Sequence, residues 1–159
     1  TWDVEYARQA EYGGNPVDFD LDYLALSGGL KTETRYASIG FERLDGDGAR
    51  GFGTPLATLH AYQGWADLFL ATPAAGLRDL NVKAGITVPV GARKLKLAAA
   101  IHDFTDADGA FDYGREFDAS ASMALTPALS LEFKAARFDG DLPAFADRTK
   151  VWVTLEFKL

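Results

Sequence analysis

The sequence predicts an all-β protein: an antiparallel up-and-down transmembrane β-barrel, with about eight strands in this chain and one short helix in a long external loop. Three observations predict this fold. Segments of roughly ten residues alternate apolar and polar side chains, turn-forming residues separate those segments, and the connections are alternately short and long. Because no apolar run reaches the roughly 18 residues of a membrane-spanning helix, only strands closed into a barrel could cross a bilayer.

The first three alternating segments precede the longest connection. Residues 2–12 place aromatic and aliphatic side chains on one face and acids on the other, and a Gly-Gly-Asn-Pro turn follows at 13–16. Residues 34–44 repeat the pattern after a tight turn at about 30–33. Between them, residues 17–30 alternate an acidic face with an apolar face, which we assign to Phe19, Leu21, Tyr23 and Ala25.

Five further segments complete the series without a linker-like interruption, so we treat residues 1–159 as a single β-barrel domain. In the second of them Leu95 and Leu97 alternate with Lys94 and Lys96, and the last one keeps this alternation to its end. The five predicted strands are residues 78–90, 93–104, 114–126, 129–139 and 148–159.

The connections fall into two classes that alternate along the chain. Residues 45–77, 104–114 and 139–148 form long connections, whereas 90–93 and 126–129 are tight turns. Outer-membrane barrels sort their connections in this way, with short turns at one end and long external loops at the other. The 13–16 turn is the one exception, because it falls on the long-loop side and is short.

The 45–77 connection is too long and too apolar for a simple turn or for a disordered linker. Its apolar residues recur at helical spacing over residues 56–70, after a Thr-Pro start at 54–55, so we predict a short helix there. Glycines on both sides provide hinges, and we favour a loop folded into the lumen over a cap on the barrel rim. The constriction-loop candidates are His60, Tyr62, Trp65 and Asp67.

The polar face of the predicted strands is densely charged, which favours an apolar face toward lipid over a closed soluble core. Arginines on the apolar face lie near strand ends, where they can reach lipid headgroups: Arg35, Arg93, Arg115 and Arg137. Acids outnumber lysines on the polar face, so either a channel for charged solutes or a solvated, mutually paired surface fits it. The lumen-lining candidates are Lys83, Lys94, Lys96, Asp118, Glu132, Lys134 and Glu156.

No sequence motif indicates catalysis, a metal or a cofactor. Neither histidine, His60 or His102, accompanies a nucleophile motif, so we expect hydrogen-bonding roles and no enzyme activity. The Asp-Gly repeats lack the spacing of a calcium loop and suit turns instead. The absence of cysteine excludes disulfides, and the net charge of −7 argues against a nucleic-acid partner.

Three stretches of the sequence form a recognisable set: Gly-Thr-Pro-Leu-Ala-Thr-Leu-His-Ala-Tyr-Gln-Gly-Trp-Ala-Asp at 53–67, Phe-Glu-Arg-Leu at 41–44 and His-Asp-Phe at 102–104. They resemble segments of the alginate-export-like family of Gram-negative outer-membrane β-barrel porins. The resemblance implies the C-terminal part of a larger barrel in the bacterial outer membrane, embedded in lipid and lipopolysaccharide. The last strand resembles the signal read by the barrel-assembly machinery, with Phe157 two positions before Leu159 in place of a terminal aromatic residue.

The resemblance further implies a channel that passes polar or anionic solutes, with polysaccharide export among its uses. Two alternatives stay open at the level of the sequence. A closed eight-stranded outer-membrane barrel would be filled by its own side chains and would have a structural or surface role without an open pore. A soluble, lipocalin-like ligand-binding barrel also alternates apolar and polar residues, and only the direction of its faces differs.

Overall fold

The computed structural model describes residues 1–14, 16–55 and 63–158, which form one sheet of eight antiparallel strands. Each strand pairs with its neighbours in the chain, so the predicted all-β, up-and-down architecture is confirmed. The strands are β1 (Trp2–Ala10), β2 (Asp20–Lys31), β3 (Arg35–Leu44), β4 (Leu77–Val90), β5 (Arg93–Thr105), β6 (Asp112–Ala124), β7 (Leu129–Gly140) and β8 (Arg148–Phe157).

The described sheet is open, so it is not the single closed eight-stranded barrel that was one of the two arrangements expected from the sequence. β1 pairs with β2 and β8 pairs with β7, and the strand order leaves β1 and β8 as the two edges. Eight strands close around a space just wide enough for their own side chains. One face of this sheet also holds part of the connection between β3 and β4.

The connections sort by length between the two ends of the sheet. Tight turns at 32–34, 91–92 and 125–128 join strands at one end, here named the turn end. The connections 45–76, 106–111 and 141–147 lie at the other end, the loop end. β2 begins later than predicted, so the first connection spans 11–19, and its Phe19 N–H donates to Glu11 Oε2 at 3.2 Å. The first connection is therefore longer than the 13–16 turn that the sequence suggested, and it is no exception to the sorting by length.

The strand registers divide the side chains between two faces. On the apolar face, Phe41 lies opposite Leu80, and Val82 opposite Ile101. On the polar face, Asn81 lies opposite His102. The same alternation continues on the outer strands, where Val151, Val153 and Leu155 belong to the apolar face.

β2 corrects the face assignment made from the sequence. Leu24 and Leu26 lie on the apolar face, with Asp20 and Asp22 at its loop end, whereas Leu21 and Tyr23 lie on the polar face. The reason is that the loop end of the polar face is covered by an apolar core, and Leu21 is 2% exposed there. Because two acids leave the polar face, the predicted excess of acids over lysines on that face is smaller than the sequence suggested.

An aromatic core fills the loop end of the polar face. Phe69, from the β3–β4 connection, lies at its centre, with ring centroids 4.6 Å from Phe104, 5.2 Å from Phe145 and 5.8 Å from Tyr113. The buried members of the core are Leu44, Ala66, Phe69, Leu77, Phe104, Tyr113, Ala136 and Phe138.

The predicted helix is not observed where the structure describes it. Residues 63–70 form turns and bends, and residues 56–62 of the prediction lie outside the described residues. Positive φ angles at Gln63 (51°), Gly64 (82°) and Asp67 (56°) are incompatible with a right-handed helix. The helical spacing of apolar residues reflects instead a segment that places Phe69 in the core. No helix in the described ranges has the length and apolar character needed to cross a membrane.

Candidate functional site

Residues 63–70, here named the inner segment, lie on the polar face and contact four strands. The side chain of Gln63 hydrogen-bonds Glu42 on β3, and the Trp65 and Ala66 amides bond carboxylates on β6. Trp65 also lies 4.3 Å from the ammonium of Lys134 on β7, and Asp67 pairs with β8. The inner segment therefore lies across the polar face from β3 to β8.

Backbone hydrogen bonds within the β3–β4 connection fix the positions of its two ends. Gly46 and Gly51 form an isolated β-bridge, and the Gly48 N–H donates to Ala74 O at 2.9 Å. The amides of Ala49 and Arg50 each donate to Asp47 Oδ1 at 2.8 Å, and these two donors lower the pKa of the Asp47 carboxyl. The connection therefore leaves and re-enters the sheet at a defined place.

Gly64 brings the inner segment against the strand beneath it. Its φ of +82° is a conformation that side chains with a Cβ avoid, and an added Cβ would stand 2.6 Å from Glu116 Oε1. The next two amides are then directed at β6. Glycine is required here both for the backbone angle and for the close approach.

Two carboxyl groups of β6 hold consecutive amides of the inner segment. Ala66 N–H donates to Glu116 Oε1 at 2.8 Å, and Trp65 N–H donates to Asp118 Oδ2 at 3.3 Å. The two carboxyls are within hydrogen-bonding reach of each other, and both residues are buried. Their second oxygens, Glu116 Oε2 and Asp118 Oδ1, are buried without a further protein partner. A hydrogen bond between two carboxyls requires a proton on one of them.

His102 lies beside this pair and is held there by a third carboxylate, that of Asp79. Its Nδ1 lies 2.8 Å from Asp79 Oδ2, which also accepts from Asn81 Nδ2 at 3.1 Å. Its Nε2 is 3.9 Å from Asp118 Oδ2, and its ring stacks on Phe104 with centroids 5.4 Å apart. The ring is therefore held by its hydrogen bond at Nδ1 and by stacking on Phe104, and its Nε2 faces Asp118 beyond hydrogen-bond distance. Among the described residues no hydroxyl nucleophile bonds the ring, so the arrangement is a hydrogen-bonding network.

Cations of β8 hold the carbonyl side of the inner segment. Lys150 Nζ lies 2.6 Å from Asp67 Oδ2, and Arg148 Nη1 donates to Ala66 O at 3.2 Å and to Asp67 O at 3.1 Å. The amides of the segment thus bond acids on β6, while its carbonyls and its carboxylate bond cations on β8. This polarity fixes the orientation of the segment across the polar face.

The structure places all the lumen-lining candidates on the polar face. Asp118 and Lys134 contact the inner segment, and Lys83 lies close enough to Glu42 to interact electrostatically with it. Four others line a cavity of about 880 Å³ at the turn end: Lys94, Lys96, Glu132 and Glu156.

The constriction-loop candidates divide in two. Trp65 and Asp67 belong to the inner segment, whereas His60 and Tyr62 lie outside the described residues. Sequence reasoning missed Glu42, Asp79 and Glu116, which complete the polar network. The signal that could have identified Glu116 is its place two residues before Asp118, on the same face of the same strand.

Charged residues bound the apolar face at both ends. At the loop end Arg8 bonds Asp20, Arg115 bonds Asp103 at 2.9 Å, and Arg137 Nε donates to Asp139 at 2.7 Å. At the turn end, Arg35 and Arg93 are the first residues of β3 and β5. The arginines on the apolar face that the sequence singled out are therefore confined to its borders.

Comparison with models of known protein families, with curated proteins and with solved structures finds no match for this chain. Within the described ranges, no group of three or more His, Asp and Glu side chains is arranged to hold a metal ion.

Proposed function

We propose that this sheet is part of a β-barrel channel of the bacterial outer membrane. In this proposal the apolar face meets lipid, the polar face lines a water-filled lumen, and the inner segment narrows that lumen. The observation that carries the proposal is the exposed apolar face, on which large side chains remain solvent-accessible across all eight strands. Examples are Val153 (70% exposed), Leu155 (64%) and Ile101 (56%).

The extent of this face exceeds what a water-soluble monomer normally presents. Contiguous apolar patches on soluble proteins rarely exceed a few hundred Å². Here exposed apolar residues recur at alternate positions from β1, which contributes Val4, to β8, which contributes Val151. Lipid is the partner that would cover such a face without specific contacts.

The dimensions of the apolar face agree with a bilayer. On β5 the charged borders are Arg93 and Asp103, and the apolar-face residues between them are Leu95, Leu97, Ala99 and Ile101. Ten residues of strand rise roughly 33 Å, which becomes about 25 Å across a membrane at a tilt near 40°. Outer-membrane barrels carry an apolar band of about this height.

The direction of the two faces argues against a soluble ligand-binding barrel. Such a barrel has an apolar interior, whereas here the face covered by the inner segment carries the buried polar residues Asp79, His102 and Glu116. The open edges argue against an eight-stranded barrel that closes alone. Unpaired strand edges are not tolerated in lipid, so further strands would have to pair with β1 and β8, as in the larger barrels of the family that the sequence resembles.

The solute that we propose is polar or anionic, and the resemblance to the alginate-export-like family favours an acidic polysaccharide. The turn-end cavity offers Lys94, Lys96 and Lys158 together with Glu132 and Glu156, a mixed surface that remains hydrated. The protein would act without a cofactor and without catalysis. Its partners would be outer-membrane lipid, lipopolysaccharide and the barrel-assembly machinery.

Spin labels at two consecutive residues test the assignment of the faces. The chain has no cysteine, so Lys96→Cys and Leu97→Cys each give one labelling site on β5. In lipid vesicles we expect the label at 97 to be relaxed by oxygen and the label at 96 by a water-soluble nickel chelate. Equal access of the chelate to both positions, or the reverse pattern, would contradict a lipid-facing apolar side.

A further inference from the structure

The carboxyl pair that holds the inner segment has no dedicated cation. Among the described residues, no lysine or arginine forms an ion pair with Glu116 or Asp118. The pair is buried, and two adjacent buried carboxylates would repel each other strongly. A single proton shared between the two carboxyls would relieve this repulsion. Each carboxyl has one oxygen that accepts a segment amide and one buried oxygen without a partner, Glu116 Oε2 or Asp118 Oδ1, that is free to share the proton.

Two of the charged groups around the pair act on Asp118 as well as on other partners. His102 bonds Asp79 through Nδ1 and places Nε2 3.9 Å from Asp118 Oδ2, and Lys134 lies over Trp65 and interacts electrostatically with Asp118. Lys150 and Arg148 bond the inner segment itself. Lys83 lies near Glu42, which accepts a hydrogen bond from the Tyr23 hydroxyl at 2.8 Å. The titratable and charged groups that face the pair are thus Glu42 on β3, Asp79 and Lys83 on β4, His102 on β5, Lys134 on β7, Arg148 and Lys150 on β8, and Asp67 on the inner segment.

We propose that the inner segment is a proton-dependent lock: it stays on the polar face while Glu116 and Asp118 share one proton, and loss of that proton releases it from β6. This inference rests on the proposed channel. Release of the inner segment from β6 would widen the lumen of that channel. It assigns the two carboxyls a role in regulation beyond their role as hydrogen-bond acceptors.

The direction of the pH dependence follows from proton counting. In the released state both carboxyls reach water and ionise, whereas the locked state keeps one proton. The locked state therefore binds one proton more than the released state. The ratio of locked to released molecules falls by about tenfold per pH unit over the range in which only the locked state keeps that proton. Raising the pH releases the segment, and lowering the pH locks it.

Thiol labelling reports release without reference to transport. Ala66→Cys places the single thiol at a fully buried position of the inner segment, and Leu70→Cys places it at a position that is 55% exposed. In vesicle-reconstituted protein, the labelling rate of Cys at 66 by a charged methanethiosulfonate is divided by the rate of Cys at 70, which removes the pH dependence of the reagent. We expect this ratio to rise with pH, by up to tenfold per pH unit, over the range in which only the locked state keeps the shared proton.

Glu116→Gln separates the lock from a general effect of charge. The amide keeps an oxygen for Ala66 N–H and offers an N–H to Asp118, so it imitates the protonated pair at every pH. We expect a low, pH-independent labelling ratio in this variant, and the same in Asp118→Asn if Glu116→Gln does not fold. Glu5→Gln, an exposed acid of the polar face on β1, removes the same charge and should leave the pH response intact.

Three outcomes would overturn the lock. They are a labelling ratio that does not change with pH, a pH response that survives in both carboxyl variants, and a response that disappears in His102→Gln while Glu116→Gln keeps it. Single-channel conductance on the same proteins distinguishes the two proposals. A pH-dependent ratio with no conductance would support the lock and contradict the channel, whereas conductance with a constant ratio would do the opposite.

Discussion

The two ends of the polar face are made by the same strands, but their contents differ. At the loop end the strands surround an aromatic core built around Phe69, and Phe104 and Phe138 are fully buried. At the turn end the same strands carry Lys96, Glu132 and Ser122 around a cavity of about 880 Å³. The inner segment lies between the two. The comparison indicates that the loop end supplies much of the packing that stabilises the fold, while the turn end leaves an open, charged cavity.

The largest difference between the two ends should appear on truncation of a core side chain. Phe104→Ala removes a fully buried ring that contacts Phe69 and stacks with His102. We expect it to lower the free energy of unfolding by about 3–5 kcal/mol, measured by urea titration of the protein in vesicles. A loss below about 1 kcal/mol would show that the aromatic core is not the stabilising region.

Gly64→Ala should have the next largest effect, because it opposes the approach of the inner segment to β6. The positive φ alone costs about 1–2 kcal/mol for alanine, and the contact with Glu116 adds to it. Gly48→Ala is the matched control, since Gly48 has a φ of +84° and nothing within 4 Å of an added Cβ. We expect the urea titration to give a loss of about 2–3 kcal/mol at 64 and about 1 kcal/mol at 48. Equal losses would indicate that the close approach is unimportant.

The ion pair between Lys150 and Asp67 should contribute less. The two side chains are 31% and 14% exposed, so solvent screens part of the interaction. Lys150→Met keeps the aliphatic stem and should cost about 1 kcal/mol in the same titration. A double-mutant cycle with Asp67→Asn checks the cause, because the two losses should be less than additive. Full additivity would mean that the pair does not hold the segment.

The smallest effect should come from the turn end. Lys96 lies on the same strand as Phe104, but its side chain lines the open cavity. We expect Lys96→Ala to change the free energy of unfolding by no more than about 0.5 kcal/mol. A loss comparable to that of Phe104→Ala would remove the distinction between the two ends.

The same contrast explains how much could be predicted from the sequence. Alternation and turn residues are local signals, and they predicted eight antiparallel strands because each strand is half apolar. They failed for β2, where Leu21 and Tyr23 point into the loop-end core and not toward the apolar face. An apolar residue at an alternating position can face either a protein core or a lipid-exposed surface, and only the tertiary structure distinguishes the two.

The site was less accessible to sequence reasoning for a related reason. Trp65, Asp67, Asp118 and Lys134 were singled out from the sequence and lie at the contacts of the inner segment, but the network also needs Glu116. The role of Glu116 depends on an amide contributed from fifty positions earlier in the chain. The absence of a helix over residues 63–70 has the same origin, because contacts with β6 and β8 stabilise positive φ angles that local spacing does not reveal.

The most direct test is the single-channel conductance, in planar lipid bilayers, of the full barrel that contains this sheet, measured before and after removal of the inner segment. Residues 50–74 are replaced by a short Gly-Ser turn, and the heat-dependent mobility shift of a folded barrel confirms that the variant is folded. We predict a larger single-channel conductance, because the segment that lies across the polar face is gone. Unchanged conductance and unchanged solute flux in a folded variant would contradict the claim that residues 63–70 narrow a lumen.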